Sequence, residues 1–364
     1  MRKSVIVLVC GLVAGLAPRA ATAHGLLVVP DDFPTVQAAV DAADPGDTIK
    51  VRPGTYVEQV RIDKDLTLNG SDASSTIVQA PSVLLPHVVG TRVIVGVVSR
   101  ARVSMSGFTV TGPGPGRCAL RAGVLVADSA ALELKDVVVR QIHDNPTAPC
   151  LGGGDGIVAG FGPTVAELTV KDVVVTDRQG HGILVFPGST ATIEGSEIVG
   201  SGVASNRAQA GILVRSPAAA RIVGNTIHDH LCGRPDCGPD PFEQVQAAAV
   251  FLVDAGEDTV VVAENDLSDN DSGVYVFVGA GASCCVIREN RLTDNRYFGI
   301  EIQDATATVT ENTIAGGNVG IGVIADFIDS IGILSENRIT DVAVAPVQTL
   351  ECCGFHATVI SRED

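Results

Sequence analysis

Glu289-Asn290-Arg291-Leu292 returns as Glu311-Asn312-Thr313-Ile314 and as Glu336-Asn337-Arg338-Ile339, after earlier versions at Gly224-Asn225-Thr226-Ile227 and Glu264-Asn265-Asp266-Leu267. The five Asn residues lie 40, 25, 22 and 25 positions apart. A period in this range is the mark of stacked supersecondary units, each burying its apolar side against the next. Aligning earlier units on Asn69, Gly107, Asp136, Asp172 and Ser196 extends the count to ten coils. At one strand spacing per coil the solenoid is roughly 45–50 Å long.

A second column runs through Gly123-Val124, Gly156-Ile157, Gly182-Ile183, Gly211-Ile212, Gly273-Val274, Gly299-Ile300 and Gly320-Ile321. Glycine opens a tight turn there, and the branched residue begins a strand and points inward. The long insertions, 112–117, 143–154 and 228–246, all fall between anchor and glycine. They are expected to stack on one edge and wall a groove. The anchor Asn residues themselves are expected to form an internal ladder, and Asp229, Asp269, Asp294 and Asp341 to cap turns.

The 364-residue chain is 46% hydrophobic but only 4% aromatic, with 40 Gly, 18 Pro and no Trp. Many small and branched residues with few aromatics suit thin layers of short strands. Residues 1–23 read as a secretory signal: Arg2 and Lys3, an apolar stretch, then Ala21-Thr22-Ala23. The formal charge is −17, and loss of Arg2, Lys3 and Arg19 with that segment leaves −20. This acidity argues against nucleic acid as a partner. No other apolar stretch is long enough to insert in a membrane.

Residues 24–80 differ from the repeats. A short helix is expected from Phe33 to Ala43, ended by Pro45-Gly46-Asp47. The phrases Val36-Gln37-Ala38-Ala39-Val40, Pro45-Gly46-Asp47-Thr48-Ile49, Pro53-Gly54-Thr55-Tyr56 and Leu66-Thr67-Leu68-Asn69-Gly70 resemble the N-terminal cap and first coil of the pectin-lyase-like superfamily. The later repeats resemble NosD-type and carbohydrate-binding β-helix units. The resemblance covers nearly all of the chain beyond residue 23. It implies an all-β, right-handed parallel β-helix of about ten coils with a short N-terminal capping helix. Residues 24–80 are then cap and first coil, and 81–364 the helix body with its C-terminal cap. It also implies a secreted protein, extracellular or periplasmic, monomeric, with a polysaccharide or oligosaccharide as partner.

The candidate chemistry lies on the central coils. Asp155 precedes Gly156 and His181 precedes Gly182, so equal register stacks the two side chains one strand spacing apart. His143 and Asp144 enter the loop toward Asp155, and Asp177 and Arg178 enter the one toward His181. Arg215 stands four residues past Gly211. A histidine beside carboxylates can do general acid/base work on a sugar. Gly180-His181-Gly182 resembles part of the polygalacturonase-type site, which implies Asp155, His181, Asp144 and Asp177 as catalytic candidates. His143, Arg178, Arg215, His228 and His230 are the substrate-binding candidates. The Asp-Asp pair and the Asn-Thr-Asp phrase of that family are missing, and hydrolysis needs two carboxylates flanking the bond. Binding or scaffolding without turnover is therefore the alternative reading.

Eight of the nine Cys follow the signal. Cys232 with Cys237, and Cys118 with Cys150, are the disulfide candidates. Two doublets, Cys284-Cys285 and Cys352-Cys353, have no assigned pairing. The thiols lack paired CxxC spacing, so no metal site is assigned. Ca2+ is the one cofactor left open.

Overall fold

The computed structural model describes residues 25–116, 119–143, 153–204, 208–215, 217–253, 260–277 and 283–362. Each coil contributes one strand to each of three parallel sheets. The chain runs, for example, from Thr190–Glu194 in the first sheet to Glu197–Ala204 in the third and Ala210–Arg215 in the second. It then returns to the first sheet at Ala219–Val223, paired in parallel with Thr190–Glu194. Among the described residues the first sheet has thirteen strands and the other two eleven each. The architecture is the right-handed parallel β-helix expected. The third and second sheets each hold one strand more than the ten anchors counted, because the coil containing Gly54–Val57 precedes the first anchor.

The N-terminal end is covered by the helix Val36–Ala42. The Thr35 hydroxyl caps it by accepting the Ala38 N–H at 3.1 Å. Val36, Ala39 and Val40 are buried beneath it. Along the body, alternation puts aliphatic side chains inward: Ile300 and Ile302 from the second sheet, Val309 from the first, Ile314 from the third, all buried.

Backbone conformation corrects the register of three anchors. Gly195, Gly224, Glu264, Glu289, Glu311 and Glu336 all have positive φ and all precede an inward polar residue. Gly107, Asp136 and Asp172 share that left-handed conformation. They are equivalents of the glutamates, and the true anchors one position on are Phe108, Val137 and Val173. Pairing agrees, since Val174 aligns with Glu197 and Glu197 with Thr226. Asn69 pairs with Ser106, inside the first-sheet strand. Four residues past the anchors, Asp177, Asp229, Asp269, Asp294 and Asp341 adopt positive φ, a conformation that Asp tolerates better than most side chains.

The Asn ladder forms between the first and third sheets. The amides of Asn225, Asn265, Asn290 and Asn312 each donate to the Oδ1 of the next, at 2.9–3.0 Å, ending on Asn337. The same oxygens accept the backbone N–H of the preceding Asn. Buried turn groups are thereby satisfied without water.

Candidate functional site

The insertions fall in sequence between third-sheet and second-sheet strands, and the fully described one, 228–246, lies beside the outer face of the second sheet. Along that face one register column reads Leu125, Val158, Leu184, Leu213, Phe251, Tyr275, Glu301 and Gly322. The first four are covered by neighbouring apolar groups. The Phe251 and Tyr275 rings stack, with centroids 4.7 Å apart and planes 7° from parallel. They line a cleft of about 390 Å³, bounded at one end by His181 and Gln209 and at the other by Gln303, Asp326 and Phe327. The segment from Pro241 to Gln246 walls its side. Five coil spacings separate the two ends, roughly 24 Å along the axis. A cavity of similar size on the outer first sheet has no aromatic residue in its lining.

Polar groups around the cleft are tied together. Tyr275 Oη donates to Gln303 Oε1 at 2.6 Å, and Gln303 Nε2 donates to the Pro241 carbonyl at 3.2 Å. Burial, then the charges of Glu301, Asp304 and Asp326, hold the Tyr275 hydroxyl well above the usual phenol range. Beneath this layer Glu301 is completely buried, and burial pushes its carboxyl up to about 8. Ser272 Oγ lies 3.0 Å from Glu301 Oε2 and 2.5 Å from Gln246 Oε1. One hydroxyl has one proton to give, so protonated Glu301 donates to Ser272, which donates to Gln246. Asp304, also buried, accepts the N–H groups of Asp326, Phe327 and Ile328 on Oδ1 at 2.8, 2.9 and 3.2 Å. That turn presents Asp326 and Phe327 at the end of the cleft.

Of the catalytic candidates, Asp155 and His181 are brought together. Asp155 Oδ1 accepts the His181 backbone N–H at 2.8 Å, while Oδ2 pairs with Arg121. Asp155 is buried, and its carboxylate braces the turn between coils. His181 Nδ1 accepts the Ala210 N–H at 3.1 Å, which puts the ring proton on Nε2 in the neutral form. Asp177 is exposed and 3.6 Å from His143 Nε2. Asp144 lies outside the described residues.

The binding candidates scatter. Arg178 and His230 are buried in the wall, where an Arg178 guanidinium nitrogen lies 2.5 Å from His230 Nε2, and Arg178 also donates to the Val199 carbonyl. Burial pulls Arg178 down to about 10. Burial first, then the Arg178 charge, depresses His230 strongly. His230 Nδ1 is 2.9 Å from Asn270 Oδ1, and Asn270 donates to Asn295 at 3.0 Å, a second short ladder. His228 faces Asp229 at 2.8 Å and Glu197 at 3.6 Å, and Arg215 lies over the Phe186 ring at 6.0 Å. None of these five lines the aromatic cleft, and of the eight described candidates only His181 does.

Cys232 and Cys237 are adjacent, with Cα atoms 5.9 Å apart, and each doublet pairs internally. Cys118 and Cys150 lie outside the described residues.

Sequence reasoning missed Tyr275, Glu301, Gln303, Asp304 and Asp326. One signal was available: the residue after the inward Ile or Val is apolar or aromatic from coil to coil until Glu301 interrupts it.

The chain matches the model described as "Right handed beta helix region" over residues 161–326 and 248–358, together more than half its length. No curated protein is matched. Among solved structures it is similar to the mannuronan C-5 epimerase AlgE4 A-module of Azotobacter vinelandii, with 18% identity, TM-score 0.54, and coverage of 89% of this chain and 94% of that one. It is also similar to the GH136 lacto-N-biosidase of Eubacterium ramulus, with 11% identity, TM-score 0.62, and coverage of 93% and 68%. The periplasmic alginate epimerase AlgG gives 13% identity, TM-score 0.51, and coverage of 93% and 84%.

Proposed function

This chain belongs to the right-handed β-helix family, and from that premise we propose that it binds a polysaccharide in the cleft between His181 and Asp326. The observation that carries this reading is the stacked Phe251–Tyr275 pair in a cleft running along the solenoid, edged by amide and carboxylate groups. Aromatic faces suit the apolar faces of sugar rings, and side-chain amides suit their hydroxyls. The printed names of the similar structures, two alginate or mannuronan epimerases and a lacto-N-biosidase, support carbohydrate as the partner class. Among the described residues no Lys or Arg lines the cleft, while Glu243 and Asp326 do. The reading therefore favours a neutral glycan over a polyuronate. Secretion, through the 1–23 segment, belongs to the same proposal.

A second reading, turnover of the bound chain, is favoured by Glu301. A carboxyl with its pKa near 8 keeps a proton at neutral pH, which is the property of a general acid. Glu301 is sealed below Gln246, so this chemistry requires the 239–246 segment to lift. Asp155 is assigned a bracing role, because both of its carboxylate oxygens are engaged. The test is a panel of neutral and acidic polysaccharides, assayed for retention, for new reducing ends and for unsaturated product. Retention without product favours binding alone. Reducing ends lost in Glu301→Gln favour turnover. Retention of none of the panel removes the proposal.

A further inference from the structure

We infer that Asp326, Cys352 and Cys353 form a soft-metal site of the zinc class, open when the cysteine pair is reduced and closed when it is oxidised. One ligand atom from each of the three residues lies within 4.8 Å of the other two. Stacking assembles this set, with no help from sequence spacing. Ala325 pairs with Glu351, and the Cys352 N–H donates to the Ala325 carbonyl at 2.9 Å, so Cys352 sits one coil above Asp326. Neighbouring side chains in a strand point to opposite faces. Here Cys353 has φ 62° and Gly354 φ 90°, and the Phe355 N–H closes the turn on the Cys352 carbonyl at 3.1 Å. Both sulfurs therefore face the same carboxylate.

Two thiolates and a carboxylate are a donor set suited to Zn2+. Three protein ligands leave a fourth tetrahedral position for water or a ligand. The turn holding Asp326 is fixed by Asp304, whose second carboxylate oxygen is buried without a hydrogen-bond partner and adds negative charge nearby. Asp326 also lines the cleft, so a metal here would stand at the cleft's end. The metal site itself does not depend on the glycan reading.

Among the other described cysteines, Cys284 and Cys285 have no exposed surface and Cys232 has 2%, while Cys237 is half-buried. Cys352 is half-buried and Cys353 exposed, which makes this pair the most accessible of the described ones to a soluble reductant. A dithiol reductant transfers two electrons and two protons to the Cys352–Cys353 disulfide. It leaves as its own disulfide and frees two thiols. Zinc binding then displaces the two thiol protons.

The experiment uses the full chain, treated briefly with a dithiol, desalted without oxygen and titrated with Co2+ under Zn2+ competition. The reduced protein should take up one equivalent more than the Cys352→Ser/Cys353→Ser variant, with thiolate-to-cobalt absorption. Reoxidation should abolish that equivalent, and Asp326→Asn should weaken it roughly tenfold or more. Equal uptake by the reduced protein and the double variant would overturn the proposal, as would equal uptake in both redox states or no effect of Asp326→Asn. A measurement on the unmutated chain guards against misfolded variants: Cd2+ should slow alkylation of Cys352 and Cys353, read by peptide mass spectrometry. Unchanged alkylation overturns the site. Neither readout requires glycan binding, so failure of that reading is separately visible.

Discussion

Replacing Glu301 with Gln should change how stability depends on pH, and the size of the change follows from its burial. Glu301 has no exposed surface, and its carboxyl is pushed from 4.5 up to about 8. The folded protein therefore holds a proton that the unfolded chain releases. Between about pH 4.5 and pH 8 the folded state binds more protons, so stability falls as pH rises. The slope is about 1.4 kcal/mol per pH unit, which accumulates to roughly 5 kcal/mol at the top of the window. Below the window both states are protonated, and above it both are ionised, so the dependence flattens at each end. Gln keeps the shape, and its amide can donate to Ser272 Oγ where the acid O–H does now. Urea denaturation of the two proteins across this range is the assay, with m-values compared to confirm a common transition. The variant's advantage should be smallest near pH 4.5 and grow to several kcal/mol by about pH 8. A difference that stays constant within about 0.5 kcal/mol across the range would refute the protonated-acid account.

Three further changes test other levels of the structure. Asn290→Ala should cost roughly 3 kcal/mol or more in denaturation, since it strips the acceptor from two Asn265 N–H groups and the donor from the Val262 carbonyl. Asn290→Ser should recover about half of that, as Ser196 already serves in the ladder by accepting the Val173 N–H at 3.2 Å. Leu292→Ala, at a fully buried third-sheet position, should cost about 2–5 kcal/mol, read as a lower urea midpoint. Asp304→Ala should release three N–H groups at residues 326–328, raising their hydrogen-exchange rates while the distant Asn225 amide stays protected.

The fold was legible because its signal is redundant. Five Asn phrases and seven Gly-Val or Gly-Ile steps repeat one geometry, and each inward residue sees the same neighbours in the next coil. Register slipped by one at Gly107, Asp136 and Asp172, where the anchor Asn is replaced by Phe or Val. The conspicuous residue in those coils is then the left-handed one before the anchor. The loop-rich edge was also readable, since all three insertions share one corner. The site was less so. Asp155 and His181 were correctly stacked by register, but register does not tell whether a carboxylate faces a cleft or braces a turn. Arg178 and His230 illustrate the same limit. Each stands five residues past an anchor position, where the chain bends inward, and each is sealed in the wall with Asn270 and Asn295 in the equivalent place. Tyr275 and Glu301 draw their chemistry from what covers them, the 241–246 segment, and that arrangement has no local sequence mark.

The central claim is that the aromatic cleft holds a glycan. Phe327 is 63% exposed and lines one end, so Phe327→Ala removes a contact surface with little effect on the core. Affinity electrophoresis through gels containing neutral polysaccharides should show the unmutated protein retarded in at least one. Phe327→Ala should then be retarded at least roughly fivefold less, a loss of about 1 kcal/mol, and Arg221→Ala, on the outer first sheet, should behave as the unmutated protein. Equal retardation of Phe327→Ala and the unmutated protein, with loss in Arg221→Ala, would place the glycan on the other face and contradict the account.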